Sequence, residues 1–276
     1  MSTPSTDDEA AEYWSTSISR IRPGEIALRG YPIEQLIGRV SFASTIWMMV
    51  RGDLPTPGQA DLLEAALVAA VDHGPQAPSI ASARMAVTCG VGLNNAVATG
   101  VNLLGDVHGG AGQQCMTFLA EVLERAADTD VDAAARALVD EYREHGRHIP
   151  GFGHRFHPRD PRRDVLVGLV EEARDQGVVS GQALAAGLAV EAVLAEGRSR
   201  PVPMNIDGAT AIVYSELGFA AEMGRGLFVL SRGVGILAHA WEERQAGVRI
   251  KGPVPRSVLP RYTGPELRDV PAGDER

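Results

Sequence analysis

Between Glu34 and Ala246 apolar residues recur at three- and four-residue intervals, and nowhere do four to eight residues alternate as a half-buried strand requires. A chain patterned this way buries its apolar surface by packing helix on helix. The stretch Glu34 to Val50, with Leu36, Ile37, Val40, Ile46, Trp47 and Val50 at helical spacing, reads as one helix. Others are expected over Ala60 to Val71, Ser79 (as N-cap) towards Gly92, Asn95 to Leu104, 111–127, 131–146, 161–176, 180–197, Asn205 to Leu217 and Met223 to Ala246. Aromatic residues make up only 5% of the chain. The core is therefore built mainly from Ala, Val and Leu, which suits close helix packing. The expected fold class is all-α.

A chain of 276 residues can bury roughly three quarters of its unfolded surface, so no covalent staple is needed. Cys89 and Cys115 match no metal spacing and no disulfide framework, which fits a reducing cytoplasm. The net charge of −9 argues against nucleic acid as a partner, since phosphate binding wants a basic face. It leaves room for a small anionic ligand held by a local Arg/His cluster. Met1 to Glu12 is polar and acidic, so no signal peptide is expected, and residues 1–14 read as a disordered tail. The longest apolar run, Gly226 to Trp241, is interrupted by Arg232, so no membrane span is expected.

Three breaks between the helical stretches are alike in placing a His or an Asp beside glycines: Asp106-Val-His108-Gly-Gly-Ala, Pro150-Gly-Phe-Gly-His154-Arg, and Asn205-Ile-Asp207-Gly. Glycine there lets a ligand approach the main chain closely. Singly, each has a plain alternative. Asp207 alone reads more readily as a helix N-cap than as a base, and His108 reads equally as a turn residue. His154, with His145, His148 and His157, reads as a metal cluster or as a solvated stretch.

Together, and in this order, Gly105-Asp-Val-His-Gly-Gly-Ala-Gly-Gln, Ile149-Pro-Gly-Phe-Gly-His-Arg with Asp160-Pro-Arg162, and Asn205-Ile-Asp-Gly resemble the signature of citrate synthases. Leu28-Arg-Gly-Tyr-Pro-Ile-Glu-Gln-Leu-Ile, Gly52-Asp-Leu-Pro and Ser231-Arg-Gly-Val-Gly-Ile-Leu-Ala-His extend the resemblance over about residues 15–263. Asp72-His73-Gly-Pro, and Gly105-Asp where full-length synthases usually carry Gly-Pro, are similar to the short members: citryl-CoA lyases and the lyase module of ATP citrate lyase.

The resemblance implies chemistry on the bond between acetyl-CoA and oxaloacetate, with coenzyme A thioester as substrate and no metal or other cofactor. Asp207 would be the base, His108 the donor to the enolate oxygen and His154 the donor to the 2-oxo acid carbonyl. His73, Arg162 and Arg232 would hold substrate carboxylates, and Ile149, Pro150, Gly151, Phe152 and Gly153 would receive coenzyme A. It also implies a large helical domain (15–108 and 218–263), a small one (109–217) closing over the substrates, a C-terminal tail (264–276) and a homodimer. One departure stands out. Family members carry an arginine that reaches across from the second subunit, about twenty residues beyond Arg232, where this chain has Lys251-Gly252-Pro253. Three other readings remain open: a Claisen-type enzyme for another 2-oxo acid, a non-catalytic binder of CoA or carboxylates, and a metal hydrolase built on the histidines.

Overall fold

The computed structural model describes residues 6–154, 158–200, 202–255 and 257–269. It begins with α1 (Thr6–Tyr13), where the sequence suggested a disordered tail. The described side chains of this helix are exposed. A small antiparallel sheet follows, β1 (Ser19–Arg22), β2 (Glu25–Leu28) and β3 (Tyr31–Pro32), in the order β1-β2-β3. Pro23-Gly24 makes its two-residue turn, with Gly24 at φ 76°. Strand patterning did not reveal it because Ile21 and Ile26, paired across the strands, both stay exposed.

The single helix expected over Glu34 to Val50 is two: α2 (Ile33–Leu36) and α3 (Phe42–Arg51). Gly38 at φ 78° turns the chain between them, and Ser41 caps α3 by accepting the Ser44 N–H at 3.1 Å. Then come α4 (Pro57–Ala70), α5 (Pro78–Thr88), α6 (Leu93–Val101), α7 (Ala111–Ala126) and α8 (Val131–Glu144). The series ends with α9 (Pro161–Asp175), α10 (Gln182–Ala195), α11 (Ile206–Glu216) and α12 (Ala221–Gln245). A capping box between Thr56 and Gln59 starts α4. Helix α5 is capped at Ala77 rather than Ser79; Pro78 supplies the first turn, and Ser79 lies inside the helix, fully buried.

One hydrophobic core joins α3, α4 and α7 to α11, with Leu63, Phe118, Leu138, Val190 and Ile212 each at most 1% exposed. Helix α11 lies at its centre and is buried at every residue from Gly208 to Tyr214, so it carries no polar face. A smaller core, Ile80, Ala83, Ala96, Ile236 and Ala240, forms where α5, α6 and α12 meet. Among the described residues no helix is long and apolar enough to cross a membrane.

The approach of α6 depends on Gly100. A Cβ there would lie 2.7 Å from the Ser79 carbonyl oxygen and 2.8 Å from Ile236 Cγ2. The isoleucine can shift, but the helix backbone cannot. Gly100→Ala is expected to cost about 1–3 kcal/mol, read as a lower urea midpoint at unchanged slope.

Candidate active site

The last turn of α4 leaves backbone carbonyls without helical partners, and three side chains from elsewhere take them. The Ser231 hydroxyl donates to Leu67 O, Arg162 Nη1 donates to Ala69 O at 3.3 Å, and Arg232 Nε donates to Ala70 O at 3.1 Å. Both sequence-predicted arginines are thereby held at the negative end of one helix, and His73 follows three residues beyond it. Arg232 is 4% exposed, its guanidinium lies 4.8 Å from the Phe228 ring centre, and it forms no ion pair among the described residues. Burial lowers its pKa, opposed by the charges of Asp72 and Asp207.

Arg162 is aimed by Asp160, which is fully buried. The two form a bidentate pair with Nε–Oδ1 at 2.9 Å and Nη2–Oδ2 at 2.8 Å. Asp160 also caps α9 by accepting the Arg162 N–H, and its Oδ2 accepts the Ile206 N–H at the start of α11. Burial alone would raise its carboxyl. The Arg162 guanidinium and these N–H groups outweigh burial and hold it down at about 2.

The loop carrying His154 is tied to the start of α11 by a short antiparallel pairing. Gly153 N–H donates to Pro203 O at 2.7 Å, Asn205 N–H to Gly151 O at 3.0 Å, and Asn205 Nδ2 to Gly153 O at 2.7 Å. The crossing requires glycine on both sides. Gly151 sits at φ 84°, and a Cβ on Gly208 would lie 2.4 Å from Gly151 O. Asn205 also caps α11, accepting the Asp207 N–H at 2.9 Å and the Gly208 N–H at 3.3 Å. Asp207 is therefore not the cap, and its carboxylate is left for other work. Burial raises its pKa above the ordinary value, against the lowering pull of Arg162 and Arg232.

His108 meets the start of α5. The Ser79 N–H donates to its Nε2 at 3.2 Å, and Ser79 Oγ lies 3.0 Å from the same atom. An Nε2 that accepts a backbone N–H carries no proton, so the proton of the neutral ring is on Nδ1. Burial, then the charge of Arg232, pushes the His108 pKa below its ordinary value. Partial desolvation, then Arg232, Arg162 and His154, do the same to His73, although solvent still reaches that ring. The His73 and His154 rings stand edge to face with centroids 6.0 Å apart. Arg232 thus influences His73, His108 and Asp207 alike, and the six side chains singled out in the sequence converge on one place.

Other expectations fall elsewhere. His145 and His148 are exposed, His157 lies outside the described residues, and among the described residues no group of three His, Cys, Asp or Glu side chains could hold a metal. Lys251 is committed within its own chain, its ammonium 2.8 and 3.0 Å from the carboxylate oxygens of Glu243. A cavity of about 330 Å³ between α7, α10 and the start of α12 contains no histidine or arginine. Its one carboxylate, Glu216, is occupied in capping α10 through Gly181 and Leu184. Sequence reasoning missed Ser79 as the partner of His108, because a serine after a proline looks like a cap. It also passed over Asn205 as the cap of α11, although Asn two residues before Asp207 was the available signal.

A buried Arg232 and a partly buried Arg162 at one helix end meet two histidines and a desolvated aspartate that each lie on a glycine-flanked break in a helical scaffold. Residues 55–253 match the family described as citrate synthase, C-terminal domain, and the chain belongs to that family. It is 29% identical over 239 residues to the citrate synthase of Haloferax volcanii, covering 86% of this chain and 59% of that one. It is 30% identical over 248 residues to ATP-citrate synthase subunit 1 of Sordaria macrospora, covering 83% of this chain and 35% of that one. The chain thus spans only part of these relatives. The structure of citryl-CoA lyase from Hydrogenobacter thermophilus superposes with a TM-score of 0.82 at 32% identity, covering 94% of this chain and 97% of that one.

The Asp160 network has a pH signature. Its folded-state pKa of about 2 lies below the ordinary 3.8. The stabilisation is therefore full above about pH 5 and is lost as pH falls towards 2. Asp160→Asn is expected to lose on the order of 2 kcal/mol at neutral pH. The gap to wild type in urea midpoints should narrow steadily between pH 4 and pH 2.

Proposed function

We propose that this protein makes or cleaves the carbon–carbon bond between acetyl-CoA and oxaloacetate, with citryl-CoA cleavage favoured over citrate synthesis. The observation that carries the reading is Arg232, a buried cation that forms no ion pair among the described residues, beside a desolvated Asp207 and a His108 whose Nδ1 bears the ring proton. A buried charge left unpaired is costly, and a substrate carboxylate would complete it. The likeness along 97% of the citryl-CoA lyase chain favours the cleavage direction.

In synthesis, Asp207 would take a proton from the acetyl methyl group while His108 Nδ1–H hydrogen-bonds the thioester oxygen as it becomes an enolate. His154 would protonate the oxaloacetate carbonyl oxygen as the new bond forms. In cleavage, His154 takes the hydroxyl proton of citryl-CoA, the bond breaks, and Asp207 returns a proton to the enolate carbon. His73, Arg162 and Arg232 would grip the carboxylates. The 149–153 loop, pinned beside Asp207, would receive coenzyme A. No metal is required, because hydrogen bonds and fixed cations stabilise both oxygens. Closure of residues 109–217 over the substrates would keep water from the enolate. A cytoplasmic setting suits these substrates and the free thiols.

A homodimer is part of the same proposal. Leu230, Val234, Leu237 and Trp241 form a stripe on α12, and each is between 45% and 58% exposed, a spacing that suits packing on a second helix. Val234→Asp with Leu237→Asp is expected to yield monomers by sedimentation. Commitment of Lys251 to Glu243 favours a second reading, in which one carboxylate contact is absent and a different 2-oxo acid is used.

The deciding experiment follows products by mass in two tubes, one with acetyl-CoA and oxaloacetate, the other with citryl-CoA. Acetyl-CoA and oxaloacetate from the second tube, with little citrate from the first, are expected of a lyase; citrate and free CoA from the first would make it a synthase. Silence in both would shift the proposal to another 2-oxo acid. Asp207→Asn is expected to lower turnover by about 10²–10⁴-fold without lowering the melting temperature, and normal turnover in that variant would refute Asp207 as base.

A further inference from the structure

Beside the candidate site, a line of charges runs from the loop bearing His73 to the residues that follow α12. Its centre is Glu243, 1% exposed. Arg84 of α5 donates to Glu243 Oε2 from Nε at 2.6 Å and from Nη2 at 2.5 Å. Lys251 approaches the same carboxylate at 2.8 and 3.0 Å, and its own N–H donates to Thr88 Oγ1 at 3.0 Å. Two cations on one buried carboxylate leave Arg84 little freedom to move.

From that fixed position Arg84 Nη1 reaches His239 Nδ1 at 3.4 Å, with the exposed Glu242 at its rim, 3.4 Å from Arg84. A guanidinium only donates, so His239 Nδ1 accepts and the ring proton sits on Nε2. That nitrogen lies 3.2 Å from Asp72 Oδ1, off the ideal hydrogen-bond line. The other oxygen of Asp72 accepts the Gly74 N–H at 3.0 Å, a bond that spans His73. Helix α12 lies directly against this segment: a Cβ on Gly235 would meet Val71 O at 2.3 Å and Asp72 Oδ1 at 2.9 Å.

We propose that Asp72 and His239 are positioning residues for His73, with His239 held in one tautomer and orientation by Arg84 and, through it, by Glu243. The role follows from the chain of contacts. Asp72 fixes the turn whose middle residue is His73, and His239 fixes the Asp72 carboxylate that closes the turn. The idea rests on the reading of His73 as a contact to a substrate carboxylate.

Histidine nitrogen NMR and calorimetry test it together. In protein labelled with ¹⁵N-histidine, the seven histidines are assigned by single substitutions. His239 is expected to show the neutral pattern protonated on Nε2. The ring signals of His73 should move in His239→Ala and return in His239→Gln, because glutamine can accept from Arg84 and donate to Asp72. Oxaloacetate binding should weaken about tenfold or more in His239→Ala and recover in His239→Gln, with acetyl-CoA binding unchanged. Asp72→Asn, similar in volume, should displace the same His73 signals, and it serves if His239→Ala does not fold. Unmoved His73 signals, or a loss that glutamine does not repair in a folded protein, would overturn the positioning role. If wild type binds neither compound while the His73 signals still follow His239, the substrate reading fails and the positioning role stands.

Discussion

The carbonyl end of α4 is the constraint on which the candidate site depends. A helix terminus inside a protein must have its last carbonyls satisfied, and here Ser231, Arg162 and Arg232 do so. The result is that one positive charge, that of Arg232, is buried at the end of the helix. Arg162 is oriented by its bidentate pair with Asp160, whereas Arg232 is oriented by the helix end and an aromatic face and has no ion pair among the described residues. A carboxylate partner at Arg232 would neutralise it; one carbonyl and a ring do not.

The remaining parts are brought to that place by close backbone crossings. Gly151 and Gly208 allow the 150–153 segment to lie on the start of α11, and Asn205 joins the two by hydrogen bonds to both. Asp160 then ties α9, Arg162 and the first turn of α11 into one unit. His154 and Asp207 are thus held on a common frame, and Arg162 is registered against it. On the other side Ser79 sets both the tautomer of His108 and, through Gly100, the spacing of α5 and α6. One small residue in a helix crossing therefore bears on a side chain in the candidate site.

The helices were readable because each buries a stripe against neighbours, and burial leaves a period in the sequence. Where little is buried the period vanishes, which is why α1 and the β1–β3 sheet, whose buried residue is Ala27, escaped notice. The break between α2 and α3 was hidden for another reason: Gly38 and Ser41 interrupt the backbone without interrupting the apolar spacing. His108, His154 and Asp207 were legible as chemistry beside glycines, and the order of their motifs pointed to a family whose resemblance added His73, Arg162 and Arg232.

What the sequence determined by itself was the helical class, the family and the short set of side chains with chemistry to offer, because periodicity, glycine placement and motif order are local properties. The tertiary structure alone decided how those side chains are used. Asn205 takes the cap that Asp207, read alone, could have taken, Ser79 faces His108 instead of capping α5, and Lys251 turns inward to Glu243. In each case the choice lies between hydrogen-bond partners of similar chemistry. Which one wins depends on which groups are brought within about 3 Å, and that is fixed only when helices distant in sequence pack together.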